Sequence, residues 1–256
     1  MPTVTVVNAG NAPPLAPPRG AVSIHPTLGP RTGFGPLQQA VLSCVPGRSE
    51  ALDVGAAEET LFVLSGRGTV HVGGEAHALE AEIGVYLAPE QQFELENPGP
   101  GELRVIAVRV PDPEPGPEGS DGTPRASVCR LGDQAAEAAT GQREFRILAD
   151  PQTGLRSATH FVGYIRATLA PDHFHLYDEV IYVLDGEGVL HADAVHAPVT
   201  PGSCIQLPAR AVHCLENTGS EPMRVVAVFR PAGSPAAAYY PDGTPAEVPG
   251  QRTEAS

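Results

Sequence analysis

The sequence predicts an all-β chain of two tandem barrels. Two observations carry that reading. Short β-branched runs are cut by Gly, Pro and Asn throughout, and a long stretch of the pattern recurs 120 residues downstream. A third observation, two histidines flanking one phenylalanine, says where chemistry would sit.

The 256 residues allow two domains of roughly 100–150 residues, each able to bury a core. Trp is absent and aromatics are 5% of the chain, so Val, Leu, Ile and Ala must fill the interior. With 28 Gly and 28 Pro, turns are frequent and long amphipathic helices are few. The segment "QAAEAATGQREFRIL" is expected to hold a short helix, which Gly141 weakens.

The repeat is read directly. "EETLFVLSGRGTV" (Glu58–Val70) matches "DEVIYVLDGEGVL" (Asp178–Leu190), "ELENPG" matches "CLENTG", and "RVIAV" matches "RVVAV", all at one offset of 120. One register kept over some 60 residues indicates a duplicated unit. The expected layout is an N-terminal arm over 1–40, a first barrel core over 41–111, a linker over 112–124, a second barrel over 125–240 and a tail over 241–256. The linker, "PDPEPGPEGSDGTP", has no hydrophobic period and reads as extended and solvated. The arms order only if something docks them. "SGRG" and "DGEG" read as hairpin turns joining consecutive strands.

The formal net charge of −14 repels phosphate backbones and anionic lipid, so the expected partner is a small molecule rather than nucleic acid or membrane. No run of eighteen apolar residues occurs, and the N-terminus lacks a basic start followed by an apolar stretch. The expected location is cytoplasmic. Cys44, Cys129, Cys204 and Cys214 form no Cys-x-x-Cys pair and read as small buried hydrophobes.

The chemistry concentrates in "PDHFHLYDEVIYVLDGEG" (Pro171–Gly188). On a strand, residues i and i+2 face one side, so His173 and His175 present two imidazoles together. Glu179 returns near them where the chain kinks into its next strand. His213, in "LPARAVHCLEN", follows a strand and a Pro turn. Three neutral imidazoles and a carboxylate suit a divalent first-row metal: Fe, Mn, Ni, Co, Cu or Zn.

These residues carry a resemblance. The chain resembles a bicupin, two cupin (jelly-roll, double-stranded β-helix) barrels in one polypeptide. The first cupin motif is matched by His173, His175, Glu179 and Gly186, with Ala167 in place of its leading Gly. The second is matched by Gly202, Pro208, His213 and Asn217, with Arg210 in place of its second Gly. The resemblance covers roughly Val41–Pro111 and Phe161–Pro231, and implies that His173, His175, Glu179 and His213 are metal ligands.

At the same offset the ligand positions of the first copy are Asp53, Gly55, Glu59 and Phe93, while Gly47, Glu59 and Gly66 keep the motif spacing. One divalent transition metal per chain is therefore expected, in the second barrel, with Fe or Mn favoured. The first barrel is expected to cover apolar surface, close its partner's mouth, build a homodimer face or bind a small ligand of its own.

A metal so held leaves one or two positions open. The expected function is a non-haem dioxygenase acting on a small organic molecule, with Glu179 and Tyr177 in catalysis. Tyr164, Arg166, Gln206 and Arg210 are the candidate substrate contacts, Tyr164 and Arg166 sharing a strand face with His160 and Val162. The alternatives are a non-redox metal enzyme (aminohydrolase, isomerase or lyase) and a non-catalytic binding module.

Overall fold

The β-branched runs become strands in the computed structural model, which describes residues 3–114, 126–140, 143–166, 171–192 and 195–247. The first half carries β1 (Thr5–Asn8), β2 (Gly20–Leu28), β3 (Gln38–Ser49), β4 (Leu52–Asp53), β5 (Glu58–Ser65), β6 (Arg67–Val72), β7 (Glu75–Glu80), β8 (Ile83–Leu87), β9 (Gln92–Asn97) and β10 (Leu103–Val110). The second carries β11 (Ser127–Arg130), β12 (Glu137–Ala139), β13 (Arg143–Ala149), β14 (Thr159–Ile165), β15 (Asp178–Asp185), β16 (Gly188–Ala192), β17 (Val195–Val199), β18 (Ser203–Leu207), β19 (Cys214–Asn217) and β20 (Met223–Arg230). Among the described residues the helical elements are short 3-10 turns.

Each half is a jelly-roll barrel of two facing sheets. In the second half one sheet runs β1-β18-β15-β20-β14-β13-β12 and the other β17-β16-β19. In the first half β11-β8-β5-β10-β3 continues through the long, bent β3 into β9-β6-β7. The strands β5 and β15, β8 and β18, and β10 and β20 each stand 120 residues apart.

Two expectations are corrected. "SGRG" and "DGEG" do not close hairpins: β5 pairs with β10 and β8, whereas β6 pairs with β7 and β9. The chain crosses from one sheet to the other there, and the crossing needs glycine. Gly66 and Gly186 have φ of 88° and 84°, and a Cβ on Gly66 would lie 2.4 Å from the Glu102 carbonyl oxygen. The helix expected in "QAAEAATGQREFRIL" is instead β12 and β13, antiparallel at a sheet edge; Gly141 lies outside the described residues. Pairing with β14 outweighs the helix propensity of the Ala-rich run.

The arms have docking partners, and these are exchanged. β1 pairs with β18 of the second barrel, and β11 pairs with β8 of the first. Each is followed by a 3-10 turn whose first amide is tied to the other barrel, Ala9 N–H to the Gly202 carbonyl (2.9 Å) and Leu131 N–H to the Glu82 carbonyl (3.0 Å).

Strand alternation then sorts the side chains. One face fills each barrel, with Leu61, Val63, Val70 and Leu95 in the first and Ile181, Val183, Leu190 and Ile205 in the second. The opposite face of the large sheets forms a third buried cluster shared by both halves. Phe62, Ile106 and Val108 meet Val162, Val180, Tyr182, Val226 and Val228 there. Each such large side chain contributes about 1.5–3 kcal/mol of burial. Cys44, Cys204 and Cys214 are buried, and no disulfide joins the four cysteines.

Glu58 locks this junction. It is fully buried, and its carboxylate accepts the amides of Arg156 (2.9 Å) and Ser157 (3.1 Å) and the Tyr86 hydroxyl (3.1 Å).

Candidate metal centre

His173, His175 and His213 come together by backbone pairing. His173 and His213 form an antiparallel bridge, with His173 N–H to the His213 carbonyl at 3.0 Å and the reverse bond at 2.8 Å. His175 follows at i+2 on the same side. Donor nitrogens of the three rings all lie within 4.8 Å of one another.

The tautomers follow from the partners of Nδ1. In His173 it bonds the Pro171 carbonyl (3.0 Å), in His175 the Ala237 carbonyl (2.9 Å) and in His213 the Ala211 carbonyl (2.9 Å). A carbonyl only accepts, so each Nδ1 carries the proton and each Nε2 keeps a lone pair for a ligand. Desolvation lowers His173 to about 4 and His175 to about 3, and holds His213 well below its ordinary value. All three are neutral donors at neutral pH, which is the chemistry a first-row metal requires. A three-His group that can hold a metal is thus present.

Glu179, at the start of β15, is 4% exposed and lines the same cavity. Its oxygens do not join the cluster of imidazole donors. Desolvation raises its carboxyl to about 8, opposed by the charge of Arg143. A buried carboxyl beside three neutral imidazoles is a donor set that a cation would complete.

Tyr177 is brought to the site. Its ring stacks between His175 (centroids 4.5 Å, 9° between planes) and Phe229 (3.9 Å, 20°), and burial pushes its phenol up. Arg210 sits at the site's edge. Its φ of 67° is the left-handed conformation that explains the motif's glycine. Its amide holds the His175 carbonyl at 2.7 Å, while its side chain is exposed.

Two expected substrate contacts, Arg166 and Gln206, are turned elsewhere. Tyr164 borders the cavity, while its ring packs against the cluster between the barrels, under the Arg146 guanidinium at 6.0 Å. Phe161 and Ile165, not His160, Val162 and Tyr164, face the barrel interior. Arg166 is exposed and ion-paired to Glu144 at 2.9 Å. Gln206 is fully buried under the N-terminal arm, donating to the Thr3 carbonyl (2.9 Å) and accepting from the Thr32 hydroxyl (2.7 Å).

Two features of the site are not apparent from the sequence. Arg143, at the start of β13, lines the cavity with Glu179 and Tyr177. Its Nη2 donates to the Leu215 carbonyl (2.9 Å), and its buried Nε has no hydrogen-bond partner among the described residues. The segment after β20 also straps across the motif. Phe174 exchanges backbone bonds with Tyr239 (2.8 and 2.9 Å) and stacks on its ring at 5.6 Å. The cavity at the three imidazoles is about 90 Å³.

The equivalent place in the first barrel is built differently. Glu59 is buried against Arg109 (3.0 Å to Nη2), Phe93 is 2% exposed, and Asp53 is exposed and caps the Gly55 amide (2.7 Å). A guanidinium already neutralises the one carboxylate retained from the motif.

A family model described as "Cupin domain" matches residues 41–109 and 165–229. No curated protein sequence matches the chain. Among solved structures, the protein Ylba from E. coli (family-model DUF861) is 13% identical, with TM-score 0.74 over 90% of this chain and 91% of that one. A putative glyoxylate induced protein from Pseudomonas aeruginosa is 19% identical, with TM-score 0.74 over 89% of each chain. A point mutant of Bacillus subtilis oxalate decarboxylase OxdC is 13% identical, with TM-score 0.68 over 93% of this chain and 79% of that one. At these identities the likeness is one of fold.

Proposed function

The chain belongs to the cupin domain family, and from that premise we propose that its second barrel is a metal-dependent enzyme site for a small organic carboxylate. His173, His175 and His213 hold the metal, with Glu179 as the fourth donor. The observation that carries the reading is Arg143: a buried guanidinium with an unpartnered N–H lines the same cavity as the three imidazoles. An N–H so placed calls for an acceptor, and a carboxylate takes a guanidinium edge well.

A bound first-row metal would supply Lewis acidity and, if redox-active, access to O2. The protein's own part is to orient and to exclude water. Arg143 fixes the substrate carboxylate. Tyr177, stacked between His175 and Phe229, holds the imidazole plane and closes one wall. Glu179 lies where it can ligate or move a proton. The Phe174–Tyr239 strap covers the motif from outside.

The three-His, one-Glu set supports a dioxygenase using Fe. The cavity favours a second reading. Its volume of about 90 Å³ is far below the roughly 300–1,000 Å³ typical of sites for larger organic ligands, which fits a substrate of a few heavy atoms; on such a substrate the second reading is aminohydrolase, isomerase or lyase chemistry. The test is turnover of two- to four-carbon carboxylates, oxalate and glyoxylate among them, by Fe- and Mn-loaded protein in air and under strict anaerobiosis. Activity only with Fe and O2 establishes the dioxygenase. Activity that survives anaerobiosis establishes the second reading. No turnover and no binding of any of these acids overturns the carboxylate proposal.

A further inference from the structure

A cavity larger than the one at the three-His group lies in the barrel without the histidines. It measures about 640 Å³, against about 90 Å³ at the three-His group. One residue of the lining, Ala40, accounts for part of the difference. Ala40, paired with Ala107 across the sheet, takes the place of Phe161, which is paired with Ala227. A ring in the wall of one barrel is thus a methyl group in the other. The walls remain: β2, β3 and β10 are intact, and the arm segment from Leu15 to Arg19 borders the opening.

The lining is mostly apolar, with Ile24, Leu42, Leu52 and Phe93 prominent. Three arginines reach it; Arg19 is taken by Glu50 at 3.2 Å, which leaves Arg109 and Arg31. Arg109 uses three of its five N–H donors on Glu59 (3.2 and 3.0 Å) and the Asp53 carbonyl (2.7 Å). Arg31, exposed, donates to the Pro26 carbonyl at 2.9 Å. The lining acids are each engaged already: Glu59 by Arg109, Glu50 by Arg19 at 3.2 Å, and Asp53 by the Gly55 amide and the Gln92 side chain. The guanidiniums therefore retain donors while the carboxylates are occupied.

We propose that the first barrel is a metal-independent binding site for an organic carboxylate with an apolar body, the acid group meeting Arg109 and Arg31 and the body packing over Ala40, where the other barrel has the Phe161 ring. An apolar chamber with a few converging polar groups is the general form of a small-molecule site. The site is separate from the metal centre, and its occupant is larger than the second barrel admits.

The probe is 4-phenylbutyrate, with benzoate and octanoate as shorter and non-aromatic companions and 4-phenylbutyramide as the neutral control. Binding to the metal-loaded full chain is read by saturation-transfer NMR and isothermal titration. The expected result is binding of at least one acid, with the amide at least fivefold weaker than 4-phenylbutyrate. Ala40→Phe, which restores the aromatic ring of the other barrel, should weaken binding at least tenfold with metal content unchanged. Arg31→Gln, at an exposed position that does not threaten folding, should shrink the preference for acid over amide. No binding of any of the three acids at millimolar concentration overturns the proposal. So does undiminished binding in Ala40→Phe, or an acid-over-amide preference that Arg31→Gln leaves intact.

Discussion

Replacing Glu58 by Ala tests whether the barrel without the histidines is a structural partner of the other. The carboxylate is fully buried and accepts two backbone amides and a phenol at 2.9–3.1 Å. Two of those donors, on Arg156 and Ser157, belong to the second half of the chain. Removing the acceptor strands them away from water. A buried donor left without a partner costs about 1–3 kcal/mol, and breaking a buried charged network costs about 3–5 kcal/mol. For a chain of this size 1 kcal/mol is worth about 2–4 °C in Tm, so the expected loss is roughly 10 °C by calorimetry. Tyr86→Phe removes only the phenol and should cost about 1 kcal/mol. In the Glu58→Ala background it should cost almost nothing, because its partner has gone. A Glu58→Ala chain that melts within about 2 °C of wild type, the effect of a change under 1 kcal/mol, would refute the lock. Additive losses in the double variant would show that the phenol and carboxylate are not coupled.

Arg143→Met should leave metal content unchanged and weaken binding of oxalate, read by titration, by at least tenfold, since a charge-assisted hydrogen bond is worth about 1.5–3 kcal/mol. Acidification should destabilise the metal-free chain. His173 and His175 are lowered from 6.5 to about 4 and about 3, so their contribution is present above pH 6.5 and is lost as pH falls through 4. Glu179 acts with the opposite sign. Raised from 4.5 to about 8, it contributes fully below pH 4.5 and its contribution is lost as pH rises through 8. The gap in Tm between metal-loaded and metal-free protein should therefore widen from about pH 6 to about pH 9, and a constant gap would contradict this. Deleting residues 1–8 removes β1 and exposes the edge of β18; a fall in Tm with concentration-dependent light scattering is expected, and an unchanged monomeric profile would show that the exchanged strand is dispensable.

The barrel fold is legible because its glycines are forced. Gly66 and Gly186 sit at sheet crossings where no side chain fits, and the alternating runs around them keep one register in both halves. The motif histidines are legible for the same reason, since i and i+2 on extended backbone can only face one way. The partner of an edge strand is not legible. Four residues of β1 pair across some 200 positions with β18, and nothing local encodes that distance. Which face of β14 or β18 turns inward is also hidden. Both faces are buried, one in the barrel and one between barrels, so hydropathy does not separate them, and a reading by alternation alone puts Tyr164 and Gln206 on the wrong side. Arg143 is masked by the Ala-rich run before it, whose helical propensity is overridden by pairing at the sheet edge.

The central claim, that one barrel holds the metal and the other has given it up, is tested most directly by elemental analysis of the full chain purified without added metal, beside His213→Ala and Glu59→Ala. The account predicts one transition-metal equivalent per chain in wild type and in Glu59→Ala, and near-complete loss in His213→Ala, whose imidazole is one of the three converging donors. Two equivalents in wild type, or metal retained in His213→Ala, would contradict it.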